Sequence, residues 1–150
     1  MQNLIFLYYL VFIIISLINS YLDIRTFRLS LILNYCGFFI CFLLNLFLPS
    51  KQVLNHILGS FILFILFILV RKITHNKLGG GDVHYSLFCG LVAGIPDCFF
   101  SAFLAAAFGL IVFVIIKLSH KRKDPGKIKI PFIPMLFLGT IAAIVYRKMS

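Results

Sequence analysis

All four acidic residues of the 150-residue chain are aspartates, and two of them, Asp23 and Asp82, stand beside long apolar runs. An ionisable group is costly in such a place, so each needs a physical reason to be there. Two carboxyls a few ångströms apart cannot both ionise cheaply. They share a proton, which leaves one as a base and one as an acid. The base can take a proton from water while the acid polarises a peptide carbonyl, and that is the chemistry of amide hydrolysis. The two residues lie 59 positions apart, so only neighbouring helices would bring them together. Gly79-Gly80-Gly81 runs directly into Asp82. Three glycines there allow positive φ and leave room for another backbone to come close. A phosphate-cradling loop would need Lys-Ser/Thr after the glycines, and Asp82 would repel the anion, so the segment does not read as one. The plainer alternative makes each aspartate a juxtamembrane cap or an ion-pair partner, of Arg25 or Arg28 for Asp23 and of Lys77 for Asp82.

The elements that must carry these residues follow from composition. With 62% hydrophobic and 12% charged residues, and a mean hydropathy of +1.10, the chain lacks the polar side chains to cover a water-facing surface. Continuous rather than alternating apolar runs indicate helices, placed at 4–21, 29–48, 53–70, 83–95, 98–116 and 132–146. The fold expected is an all-α, polytopic integral membrane bundle of about six transmembrane helices, with residues 1–150 as one domain. The fourth run, 13 residues before Pro96, is short for a span, and 83–95 with 98–116 could instead form a re-entrant hairpin. Lys and Arg divide 11 to 3 between the two sides, with 22–28, 71–82 and 117–131 on the richer side. The positive-inside rule puts these connections, and both aspartates, at the cytoplasmic boundary. The net charge of +10 is thus assigned to topology and anionic lipid headgroups, and no nucleic-acid partner is expected.

The other polar residues suggest less. Gly90 and Gly94, and then Ser101, Ala105 and Gly109, form small-residue stripes of the kind that let helices approach closely. The cysteines at 36, 41, 89 and 98 have neither zinc nor redox spacing and read as packing residues. His56, His75 and His120 are scattered, so no metal site and no cofactor is proposed. His84 lies two residues beyond Asp82 but is kept outside the catalytic set. Asp97 and Asp124 read as turn residues beside Pro96 and Pro125.

Gly79-Gly80-Gly81-Asp82 resembles the G-x-G-D motif of polytopic aspartyl proteases, and most closely that of the type IV prepilin and archaeal preflagellin peptidases. Asp23-Ile24-Arg25-Thr26-Phe27-Arg28-Leu29 is similar to that family's first catalytic segment, and Ile130-Pro131-Phe132-Ile133-Pro134 to the Pro-x-x-Pro opening of its last span. The chain departs from the pattern at Leu29-Ser30-Leu31, where Ile-Pro-Asn is usual, and at His84, where Lys is usual. The resemblance implies an inner-membrane endopeptidase with Asp23 and Asp82 as catalytic residues and Gly79, Gly80 and Gly81 as substrate-binding residues. Its substrate would be a prepilin-like precursor whose short basic leader ends in Gly, cleaved on the cytoplasmic side. The paired C-x-x-C motifs that accompany N-methylation in larger members are not found, so methyltransferase activity is not expected. The altered residues leave a second reading open, a noncatalytic subunit that binds precursor or assembly machinery.

Overall fold

The computed structural model describes residues 2–75, 78–119 and 131–149. Lys77, His120, Asp124 and most of the cations of the 117–131 connection lie outside the described residues. Six helices follow one another: α1 Gln2–Thr26, α2 Leu31–Asn45, α3 Ser50–Ile73, α4 Gly80–Ala93, α5 Asp97–Ser119 and α6 Ile133–Met149. The described residues form an all-α bundle. Its outer faces carry exposed Phe6, Leu17, Ile65, Phe103 and Leu110, a surface suited to lipid. α1, α3 and α5 are long and apolar enough to cross a membrane, and α2 and α6 are shorter apolar helices.

The helices depart from the expected spans mainly at their ends. α1 runs to Thr26, past the apolar stretch, and the Thr26 hydroxyl donates to Leu22 O at 2.8 Å. Asp23 is therefore a residue of the last turns of α1 rather than of the following loop. α2 starts after Ser30, its N-cap.

α4 lies at the centre, against α2, α3, α5 and α6. Val83, Tyr85, Phe88, Leu91 and Val92 of this helix are all buried. Its 14 residues reach about 21 Å, short of a hydrocarbon core of about 30 Å. A helix that ends inside the bundle must have its last carbonyls satisfied by protein. Five side chains serve the C-terminal half of α4 and the turn after it. Ser60 Oγ donates to Leu87 O at 2.7 Å, Tyr8 Oη donates to Leu91 O at 2.7 Å, and His56 Nδ1 lies 2.9 Å from the same oxygen. Arg147 reaches Ala93 O at 3.3 Å, and Asn55 reaches Ile95 O at 2.8 Å. Beyond them the chain turns at Gly94, whose φ of 71° suits glycine.

Small residues set the closest crossings. A Cβ on Gly90 would lie 2.5 Å from Gly59 O, so α3 and α4 touch backbone to backbone. A Cβ on Gly139 would lie 2.6 Å from Ser101 O, and Ser101 Oγ sits 2.8 Å from Thr140 Oγ1, which joins α5 to α6. Gly109 has only ordinary contact with Phe132. The expected stripes are thus packing seams in which the members differ in tightness.

Candidate active site

Asp23 is 6% exposed, and its Oδ2 accepts the Ile133 N–H at 3.1 Å across 110 residues of chain. Burial raises the Asp23 carboxyl above its ordinary range, and because Ile133 opens α6, the free N–H groups there offset part of that rise. The prolines explain why this helix begins here. Pro134 falls in the first turn, where a missing N–H removes no intrahelical bond.

Asp82 is the third residue of α4, and its Oδ2 accepts the Gly79 N–H at 3.2 Å. Burial pushes its carboxyl up to about 7, and the charge of Asp23 pushes in the same direction, while the Gly79 bond opposes both. Asp82 therefore senses the charge of Asp23, and at neutral pH it is poised between acid and base. Both residues also act as helix caps, as the plainer alternative had it, but with backbone partners. Arg25, one of the cations that could have paired with Asp23, lies over the Tyr21 ring at 5.3 Å instead.

The three glycines are needed for a different reason from the one expected. Gly79 is extended, with φ −62° and ψ 142°, and among the described glycines only Gly94 has positive φ. What the segment requires is space. A Cβ on Gly79 would meet Asp82 Oδ2 at 2.9 Å, on Gly80 it would meet the Arg71 guanidinium at 2.8 Å, and on Gly81 the Leu29 Cβ at 2.9 Å. The first turn of α4 is thus hemmed in by its own aspartate and by side chains from the α1–α2 connection and the end of α3.

The structure brings together Asp23, Asp82, the glycine run and the proline-flanked start of α6. It separates the other polar candidates from them. His84 Nδ1 lies 2.8 Å from Tyr35 Oη and its ring is tilted against Phe64, facing α2 and α3. Asp97 heads α5 at the opposite end of the bundle and pairs with Arg147 at 3.0 Å, which corrects its reading as a simple turn residue. His56 caps α4 near that same end. Sequence reasoning missed Leu29, Arg71 and Ile133 as neighbours of the site. Leu29 had a signal, since it belongs to the segment that departs from the family pattern. Among the described residues no three His, Cys, Asp or Glu side chains converge as a metal site.

Residues 10–114 match the type IV leader peptidase family, over a stretch that includes both aspartates and all three glycines. The chain belongs to that family. It is similar to the prepilin leader peptidase/N-methyltransferase of Bacillus subtilis (strain 168), with 28% identity over 94 residues. That stretch covers 60% of this chain and 36% of the relative, so the chain spans little more than a third of that protein's length. No solved structure matches. The family match stops short of α6, so the approach of Ile133 to Asp23 lies outside the matched stretch and is seen only in the fold.

Proposed function

We propose that this leader peptidase family member is a membrane-embedded aspartyl endopeptidase that removes the basic leader from prepilin-like precursors. The observation that carries the reading is that Asp82, half-buried, is raised to about 7 by burial and by the charge of Asp23. A pair of this kind holds one proton between two carboxyls at neutral pH. Asp23, held by the α6 N-terminus, is the base and Asp82 the acid. Water oxygen adds to the scissile carbonyl carbon as Asp23 takes a water proton, and Asp82 gives its proton toward the carbonyl oxygen. The tetrahedral species then collapses with C–N cleavage. The leaving amine takes a proton, and the pair returns to its singly protonated state with one water consumed.

Gly79, Gly80 and Gly81 run into Asp82, and a substrate backbone that bound them would have to take space that Arg71 and Leu29 fill here. A precursor whose leader leaves water where its hydrophobic helix enters lipid would present its scissile bond at this depth. The site faces the cytoplasm by the distribution of Lys and Arg, in the inner membrane. Membrane lipids are the other partner, through the basic loops. Purified chain incubated in detergent with a prepilin peptide bearing a Gly-ended leader tests the reading. The trimmed peptide is the expected product. Binding without cleavage across neutral pH would instead mark a noncatalytic subunit.

A further inference from the structure

α1 and α4 run antiparallel and face each other through matched side chains. From the end opposite the aspartates, Tyr8 Oη donates to Leu91 O at 2.7 Å, and Phe12 meets Phe88 with ring centroids 5.1 Å apart. Next the Tyr85 hydroxyl faces Ser16, and at the far end Asp82 faces Asp23. The early steps move about one turn along both helices. The last does not: from Ser16 to Asp23 α1 advances two turns while α4 advances one, from Tyr85 to Asp82. The extra turn of α1 carries Asn19 and Ser20, and positions 16, 19, 20 and 23 share one helix face.

This layer is buried and polar. Ser16 and Asn19 are 0% exposed and Tyr85 is 0% exposed. Ser20 Oγ and both amide atoms of Asn19 have no hydrogen-bond partner among the described residues, while Ser16 Oγ and Tyr85 Oη meet each other, and Tyr85 meets Cys89, without forming a close hydrogen bond. Nearby polar groups are already engaged: Ser86 Oγ donates to Val83 O, and Thr140 Oγ1 donates to Leu136 O. Buried polar atoms in folded proteins are bonded to protein or to ordered water. The seam is uncharged and offers both donors and acceptors, which suits water better than an ion.

We infer that the seam formed by Ser16, Asn19, Ser20 and Tyr85 is a binding site for ordered water contiguous with Asp23, and that it supplies the water consumed at the aspartates. The second half rests on the peptidase reading; the first does not. One water leaves the seam per amide bond cleaved: its oxygen and one hydrogen end in the new carboxyl group, and its other proton reaches the new amine through the carboxyl pair. Asn19, one turn from Asp23, is a positioning residue for that water.

Brief X-ray radiolysis of the purified chain in ¹⁸O-water tests this, because water bound beside a buried side chain labels it in place. Tyr85 should take up ¹⁸O severalfold faster than Phe12 and Phe88, which are equally buried aromatics on the same ladder. Uptake at Tyr85 no faster than at those two overturns the water site, and this comparison needs no variant. Asn19→Leu should bring Tyr85 labelling down to the level of Phe12 and lower kcat on prepilin peptide with KM unchanged, and Asn19→Ser should restore both. Labelled Tyr85 with parental kcat in Asn19→Leu overturns the supply role. Labelled Tyr85 in a chain that cleaves no prepilin upholds the water site and sinks the peptidase reading instead.

Discussion

Replacing Asp82 with Asn should make the protein more stable above neutral pH while removing its activity. The amide oxygen of Asn can still accept the Gly79 N–H, so the cap at the start of α4 survives and the change is mainly one of charge. In the fold the Asp82 carboxyl rises from 3.8 to about 7. The unfolded chain loses this proton near pH 4, whereas the native chain keeps it to about pH 7, so between those values the native state binds more protons. Stability contributed by this group is therefore complete below pH 4 and is lost as pH rises through 7. A rise of three pH units at 1.36 kcal/mol each gives a loss of about 4 kcal/mol. Asp82→Asn should escape that loss. Unfolding of the parent and variant in the same detergent, followed by circular dichroism from pH 4 to pH 8, would show the two curves diverging with pH in favour of the variant. Parallel curves over that range would refute the claim that Asp82 is held in a site hostile to its charge.

Other consequences can be checked with the same preparations. The kcat/KM for prepilin peptide should fall as pH rises past about 7, because Asp82 then gives up the shared proton; a rate that climbs from pH 7 to 9 would contradict this. Gly81→Ala should slow cleavage far more than Gly80→Ala, since the first meets Leu29 at its Cβ and the second meets only the movable end of Arg71. Gly90→Ala should destabilise the bundle by about 1–3 kcal/mol, the usual result of overpacking, as its Cβ would press on the Gly59 carbonyl. Gly109→Ala, whose Cβ would make ordinary contact with Phe132 at 3.6 Å, should leave the unfolding midpoint unchanged or raised.

The helical spans were legible, and the two candidate aspartates conspicuous, because apolar runs and scarce acids are local signals. Asp23 and Asp82 stand out wherever they fold. What was not legible depends on partners far away in the chain. Nothing near Asp23 announces that the backbone of Ile133 will hold it, and nothing in the glycine run says that Leu29 and Arg71 will crowd it. The positive φ expected there did not appear because glycine was required for close approach rather than for an unusual backbone. The capping of α4 was hidden differently. Tyr8, Asn55, His56 and Ser60 occur singly in other helices, and only a helix that stops inside the bundle gives them a shared task. A clue was nonetheless readable: Ser16, Asn19, Ser20 and Asp23 recur at helical spacing in an otherwise apolar α1, which marks a face turned away from lipid.

The initial rate of prepilin-peptide cleavage by purified Asp23→Asn and Asp82→Asn, each accumulating in membranes like the parent, bears most directly on the two carboxyls as one catalytic unit. Both variants should fall by roughly 10²- to 10⁴-fold, the contribution of general acid–base catalysis. Cleavage at the parental rate by either one would contradict the account.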